Sequence, residues 1–564
     1  MFLPFRGSLT RILGLLVLIF ILLSVNILPA RELVWATAAG GEGDQWGQRT
    51  SIGPNGEVVV TGRFTGTIHF GEGQQNETVF TADENNFCFF VAKYDSDGVF
   101  QWARQIVVFR RTGYPWNSQV PNAAFDRSGN IDLTAVYLSS VDLSKDEPDA
   151  VTLNAVSGSA DFFVAQYNPD GGLNWALSEG GEKDDGETNL AVDGQGNVFL
   201  VGSFLDSVAF GKETSHPVEL VSTGAADICV AKYDSEGNFL WAQSGGGKAD
   251  DAVKGATADA DGNVIITGQV TQDAIFGKGQ PNQVTLPGFG EEDILIAKYS
   301  AQGDFLWAKG IGNAFIEAGM DVATDSENNI VATGYFTRSA IFGEDTLSTL
   351  YSWADRFFLA KFDPDGNSLW ARQSTGDMMS NVQGLCVDVF KNGDILAQAF
   401  LMFTAHFGQS GSYDTTITAI PDTGGMVQVI YSAQGDFLSA QNVSDWGYSA
   451  EFAEIDLNDR VIQTGRFTEN ITFGEGESAV ELENRGGADM FVAKFGDVVT
   501  GMTKSNNLPQ GFRLLPNYPN PFNQSTTIAF YLDHAEQVLL RIYDIRGREV
   551  ATLINKSLPR GWHK

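Results

Sequence analysis

Short apolar stretches, each bounded by a cluster of Gly, Asn, Asp or Ser, recur along most of this chain. Runs such as Phe90-Val91-Ala92-Lys93-Tyr94, Val230-Ala231-Lys232-Tyr233 and Phe491-Val492-Ala493-Lys494-Phe495 are too short for helices and read as strands. They keep a fixed order with other marks. Trp-Ala falls at Trp35, Trp102, Trp175, Trp241, Trp307 and Trp370, and Ser439-Ala440 takes its place once more. Each is followed by a strand of the type Thr61-Gly62-Arg63-Phe64, then by a Phe-Gly such as Phe70-Gly71, with Leu143 alone in the second copy, then by the Val-Ala-Lys-Tyr run. Self-similarity at a period of 63 to 73 residues means one structural unit repeated, here seven times, starting near residues 33, 101, 174, 240, 306, 369 and 438.

The turns say what the unit is. Ahead of the Thr-Gly strand, one loop position reads Gly56, Gly129, Gly196, Gly262, Asn328, Gly393 and Asp459, the residue set that tolerates a left-handed backbone and so marks a hairpin bend. A second hairpin turn reads Asp95-Ser96-Asp97-Gly98 or Asp363-Pro364-Asp365-Gly366. Its acids lack the later ligands of an EF-hand loop, and turn chemistry accounts for them. Four strands per copy, in two hairpins, predict the blade of a β-propeller, running outward through the strand before the turn, Thr-Gly-x-Phe, Val-Ala-Lys-Tyr and Leu-Trp-Ala. The chain starts this region with an unpaired Leu33-Val34-Trp35-Ala36 and ends it at Val492-Ala493-Lys494-Phe495 without a Trp-Ala partner. The two half-blades complete each other, closing a seven-bladed ring over residues 31–497 by pairing N- and C-terminal strands.

Composition sharpens this. The chain has 564 residues, 43% hydrophobic and 19% charged, with 63 Gly against 17 Pro, 40 Phe and 11 Trp, which suits an all-β fold with tight turns. Its 36 Lys and Arg against 70 Asp and Glu give a net charge of −34, which repels nucleic acid and excludes it as a partner. Cys88, Cys229 and Cys386 carry no metal-site spacing and read as small core residues, a bridge between two of them staying open.

Residues 1–30 hold Arg6 and Arg11, an apolar run from Ile12 to Leu28 and Pro29-Ala30, the layout of a secretory signal peptide, with an uncleaved anchor as the alternative. No other stretch is apolar enough to span a membrane as a helix, so no stable span is expected after signal removal.

The string Trp-Ala-x-x-x-Gly-Gly, Gly-Asn-Val-x-x-Thr-Gly, Phe-Gly and Asp-x-Phe-Val-Ala-Lys-Tyr resembles the bacterial SBBP-type β-propeller repeat across residues 33 to 497. The second copy departs, with Arg104-Gln105-Ile106 for Gly-Gly and Ala135 for the motif Gly, and the sixth with Gln398 and Gln428. Beyond a polar linker at 498–510, residues 511–564 resemble the C-terminal sorting domain of type IX secretion cargo. The resemblance is carried by Asn517, Tyr518, Pro519, Asn520, Pro521, Phe522 and Asn523 and by Tyr543-Asp544-x-x-Gly547-Arg548-Glu549-Val550. It implies a small Ig-like β-sandwich, of which about half is present. It also implies the type IX machinery as a partner, export across both membranes, and a secreted or cell-surface location.

Chemistry is sparse. His69, His216, His406, His534 and His563 are too scattered for a metal cluster or a catalytic triad, and no nucleophile elbow or phosphate loop occurs. No cofactor, metal or catalytic residue is assigned. Acid pairs at Asp184-Asp185 and Asp250-Asp251 read as solvated loop residues, with a glycosidase-like pair as the alternative. The irregular loops offer more: Trp46 in the first copy, Arg110, Arg111, Tyr114 and Trp116 in the second, and Asp445, Trp446 and Tyr448 in the seventh, which ring closure makes neighbours. Aromatics beside Arg and Asp suit a glycan or a surface protein. The expectation is a binding or adhesion module, with a secreted polysaccharide hydrolase or lyase and a structural surface-layer component as alternatives.

Overall fold

The computed structural model describes residues 32–82, 87–109, 120–349, 351, 353–408, 415–419, 424–445, 447–474, 479–496, 512–514, 530–532, 536–543 and 549–563. They fall in two units, with described parts at 32–496 and 512–563. Both are all-β: among the described residues the sole helical turn is the three-residue Val156–Gly158.

In the larger unit, antiparallel sheets of four main strands succeed one another in chain order. The fourth sheet is representative: Ala252–Ala258, Val264–Val270, Asp293–Tyr299 and Phe305–Ile311 lie side by side in that order. The strand order therefore agrees with the sequence reading. The first strands of the other sheets are Gln45–Ile52, Asn122–Phe125, Gly186–Val192, Glu317–Thr324, Asn381–Val389 and Tyr448–Ile455. The last of these sheets takes its outer strand from the other end of the region, Leu33–Ala39 pairing antiparallel with Asp489–Phe495. The left-handed turn positions are all left-handed, from Gly56 to Asp459, with φ between 60 and 83°. At Asp95 the carboxylate accepts the N–H groups of Asp97 and Val99, which makes that motif a turn staple.

The repeat motifs do identifiable work. The Trp Nε1–H of one sheet donates to a carbonyl in the outer turn of the next: Trp35 to Ser96, Trp102 to Pro169, Trp241 to Ala301, Trp307 to Pro364. The motif lysines Lys93, Lys232 and Lys298 reach carbonyls of the same turns, so Trp and Lys together staple each sheet to its neighbour. Tyr94, Tyr233 and Tyr299 are fully buried, each ring edge-on to Phe100, Phe239 or Phe305 of the adjoining strand.

One element was not foreseen. Phe-Gly ends the first arm of a two-stranded hairpin inserted between second and third strands, as in Thr67–Phe70 with Thr78–Thr81 and Ser207–Phe210 with Val218–Val221. The hairpin laps the outer strand of the preceding sheet, through Gly40 and His69, Gly180 and Ala209, Gly246 and Ile275, and in full pairing between Ser140–Leu143 and Phe100–Phe109. Gly-Gly closes the outer strand because a Cβ on Gly41 would meet Thr67 O at 2.5 Å. All three cysteines are buried and none forms a disulfide.

In the smaller unit, Phe530–Leu532 pairs with Phe512–Leu514 and Gly561–His563, and Glu536–Tyr543 forms a hairpin with Glu549–Leu558. The motif Asn517, Tyr518, Pro519, Asn520, Pro521, Phe522 and Asn523 lies outside the described residues.

Candidate functional site

The first strands of all these sheets line a single cavity of about 340 Å³. Most carry a β-bulge at or within one residue of the same place, between Gly47 and Arg49, Gly186 and Thr188, Val253 and Gly255, Gly319 and Asp321, Gly384 and Cys386, and Ala450 and Phe452. A bulge re-aims the residues after it. Those residues differ from copy to copy, and the cavity wall collects Arg49, Asn122, Asn189, Lys254, Asp321, Asp388 and Glu454. A volume in the range of small-ligand sites, with polar groups converging on it, makes this cavity the candidate site.

Several of these side chains already hold the ring. Asn122 Nδ2 donates to Thr188 O at 2.8 Å and Asn189 Nδ2 to Lys254 O at 2.7 Å. Asp321 Oδ2 accepts from Val387 N at 2.9 Å and Asp388 Oδ2 from Ile455 N at 2.7 Å, each on the next sheet. Glu454 takes the N–H of Ile52 across the closing seam while its Oε2 is buried without a partner. Burial, then mutual repulsion, shapes their protonation. Burial pushes Asp321 up to about 7 against its bonds to Val387 and Val322, and pushes Asp388 up to about 6. Burial and then the charges of Asp388 and Asp321 push Glu454 well above the usual carboxylate range. Acids with pKa raised toward neutrality are a kind of group that general acid–base chemistry uses, and three of them lie on adjacent sheets here.

A folded-state pKa above the unfolded value means stability that is full below about pH 4 and is lost as pH rises through 6 to 7. Asp321→Asn keeps a carbonyl acceptor for Val387 N and removes the charge. We expect it to unfold several degrees above the parent at pH 8 and level with it at pH 4. Parallel melting curves across that range in a calorimetric series would refute the assignment.

Of the residues singled out in the sequence, Trp46 is half-buried on the first strand of sheet one. The guanidinium of Arg63, its cross-strand neighbour, lies 3.6 Å from the ring centroid, and that of Arg466, from the last sheet, 4.3 Å. Arg466 Nε is also 3.4 Å from Glu451 Oε1. Trp46 is therefore engaged by cations rather than offered as a bare stacking face. Tyr448 packs edge-on to Phe473 and Phe491 inside the last sheet. Asp445 pairs through its backbone with Tyr448. Arg110, Arg111, Tyr114, Trp116 and Trp446 lie outside the described residues.

The sequence reading did not single out Arg49, Arg63 and Arg466, nor Asp321, Asp388 and Glu454. Aligning the first strands copy by copy would have shown them, since only a residue that breaks the repeat needs a reason of its own. The solvated-loop reading of the acid pairs is corrected. Asp184 and Asp250 are exposed, but Asp185 is 3% and Asp251 0% exposed, because each opens a first strand and points into a seam between sheets.

No family model matches the chain. An uncharacterized WD repeat-containing protein of Acanthamoeba polyphaga mimivirus is 22% identical over 363 residues, covering 56% of this chain and 26% of the viral protein. The chain thus spans about a quarter of the length of that curated relative. Among solved structures, a protein of unknown function from Dyadobacter fermentans is 12% identical, covering 83% of this chain and 99% of that one, with a TM-score of 0.36. A polysaccharide lyase, Uly1, is 8% identical over 80% of this chain and 90% of its own, with a TM-score of 0.40. Likenesses this loose carry no argument about activity. On its strand pairing, the chain is an all-β repeat protein built like a β-propeller. No helix among the described residues is long and apolar enough to cross a membrane.

Proposed function

We propose that residues 31–497 form a seven-bladed propeller of the SBBP-repeat type, exported through its signal peptide and a type IX sorting domain, and that it binds an anionic glycan or surface polymer. The observation that carries the binding is the arginine cluster at the closing seam. In a chain of net charge −34, Arg49, Arg63 and Arg466 gather where the last sheet meets the first, two of them stacked on Trp46. Preorganised guanidinium groups grip carboxylate or sulfate with little ordering cost. The viral relative's WD repeats agree with a ring that works by recognition.

The test is binding of the full chain to immobilised acidic and neutral glycans, with and without Arg63→Ala and Arg466→Ala together. Selective retention on acidic glycans, weakened by salt and reduced about tenfold or more in the double variant, is the expected result. Equal retention on neutral glycans, or indifference to the substitutions, would end this reading.

The raised acids of the cavity favour a second reading, a hydrolase or lyase acting on a polysaccharide end. There, Asp388→Asn abolishes release of reducing ends while leaving glycan retention intact; release undiminished in that variant excludes it.

A further inference from the structure

The seams between sheets share one layout, and their differences are informative. An acid at the start of a third strand faces the residue that opens the next sheet's first strand, with the glycines of the linking loop between them. The N–H of that opening residue bonds the carbonyl just before the acid, which sets Asp489 beside Gln45, Asp161 beside Asp185, Asp227 beside Asp251 and Asp293 beside Glu317. At Gly246 a Cβ would lie 2.5 Å from Asp227 Oδ1 and 2.8 Å from Asp251 Oδ2, so both carboxylates crowd one point.

In three seams a nitrogen donor fills the space beside these groups. Gln45 Nε2 donates to the carbonyls of Glu42, Thr65 and Thr67 at 3.2, 3.3 and 3.0 Å. Asn313 Nδ2 donates to Thr337 O at 2.8 Å, to Ser339 O and to Glu317 Oε1. Arg356, 1% exposed, stands where other seams have the third-strand acid, and its guanidinium bonds the carbonyls of Asp355, Gly376, Asp377 and Ser380. Thr67 and Ser339 each begin the first arm of the inserted hairpin. The position is therefore a pocket of backbone oxygens that takes a positively polarised group.

The seam between sheets two and three has that pocket, and among the described residues no side-chain amide or guanidinium fills it. Ser207 begins the corresponding hairpin arm, and a Cβ on Gly181 would collide with its carbonyl oxygen. Asp185, the counterpart of Gln45, presents a carboxylate instead of an amide. It is 3% exposed; the N–H of Gly181 lies near its carboxyl, but among the described residues neither oxygen has a hydrogen-bond partner of ordinary geometry. Asp161, 0% exposed, lies beside it, its oxygens taking Ser159 Oγ at 2.7 Å and Val156 N at 2.7 Å. Asp184 caps Ala160 N at 3.0 Å. Lys212 feels both buried acids but spends its ammonium on Gly180 O at 2.9 Å. Burial and then Asp161 push Asp185 up to about 9. A buried carboxylate facing carbonyl oxygens is repulsive unless a proton or a cation sits between them.

We propose that this seam binds a divalent cation, with Asp185 as its charged ligand, Asp161 beside it, and backbone oxygens and water completing an all-oxygen shell. The set is small: among the described residues no three acidic, His or Cys side chains converge for a metal. That places it with weak, extracellular-type calcium sites, with Kd of about 0.1 to 1 mM.

Calcium alone is the probe, on the full chain. Moving from EDTA to about 5 mM calcium chloride raises the Tm by about 1 to 2 °C. Asp185→Asn, which supplies the amide found at Gln45, loses that rise and unfolds in EDTA at or above the parental temperature. Where that variant does not fold, equilibrium dialysis decides: the parent retains calcium and Asp161→Asn retains less. A parent that neither shifts nor retains calcium, or an Asp185→Asn variant that still shifts, overturns the proposal. So does a parental Tm that merely falls as pH rises through 9, equally with and without calcium, since the pair would then share a proton.

Discussion

Deleting residues 31–40, or changing Trp35 to Ala, is expected to cost the larger unit more stability than any surface change. Leu33–Ala39 is the outer strand of a sheet whose other strands lie more than four hundred residues away, running from Leu33 opposite Phe495 to Ala39 opposite Met490. Leu33, Trp35 and Ala39 are buried at 8, 9 and 0% exposure. Trp35 also donates to Ser96 O at 3.0 Å and packs on Gly98, whose φ of 81° and contact with the indole leave no room for a Cβ. Trp35→Ala alone removes about 3 to 5 kcal/mol by the usual scale of large-to-small core changes. Deletion adds the loss of the strand ladder and bares Asp489–Phe495 as an unpaired edge. At about 2.1 cal/mol/K of unfolding entropy per residue, each kcal/mol moves the Tm of a unit this size by about 1 °C, so Trp35→Ala lowers it by roughly 3 to 5 °C, and the deletion gives an aggregating chain. Trp353, 65% exposed, is the control, and its change to Ala leaves the Tm where it was. If the two tryptophan variants melted together, the terminal strand would not be what holds the last sheet.

That closure could be read from the chain because it is a matter of counting: one half-unit too many at the start and one missing at the end. The strand order and left-handed turns were legible for a related reason. Backbone conformation at Gly56 or Asn328 is a local property, and local properties survive in the sequence. The inserted hairpin was not, since Thr67–Phe70 and Thr78–Thr81 are four residues each and their partner is the preceding sheet, which no local pattern reports. Burial of Asp185 and Asp251 was hidden for the opposite reason. Acid pairs are nearly always solvated, and only the turn into the first strand swings one of each pair into a seam. At the candidate site, Trp46 could be found as an aromatic in an irregular loop, but its two cationic partners come from strands in different sheets. Asp321, Asp388 and Glu454 are separated by a full repeat each, so their convergence exists only once the ring is assembled.

The second large effect lies in the lysines of the Val-Ala-Lys-Tyr runs. Lys298 Nζ is 2.9 Å from Asp259 Oδ2, with side chains 5% and 0% exposed, and Lys232–Asp193, Lys361–Asp325 and Lys494–Asp456 repeat the pair at 2.8 to 2.9 Å. Burial opposes the Asp259 charge, but hydrogen bonds from Asn263 and Lys298 outweigh it and hold the carboxyl below its ordinary value. Lys298→Met leaves that carboxylate buried without its cation and is expected to cost about 3 to 5 kcal/mol. Lys298→Met with Asp259→Leu removes both charges and regains much of the loss, which a single change acting only through lost packing would not do. The pH dependence runs opposite to that of the cavity acids. Stability from a lowered pKa is present above the unfolded value near 4 and is lost as pH falls through the folded one, whereas Asp321 and Asp388 withdraw theirs as pH rises through 6 to 7. The parent is therefore most stable near pH 4, losing stability on the acid side through the lysine-paired aspartates and from there toward pH 7 through the cavity acids. Lys298→Met flattens the acid limb of that curve and Asp321→Asn the neutral one, so scanning both variants by calorimetry separates the staples that hold the sheets together from the acids that line the cavity.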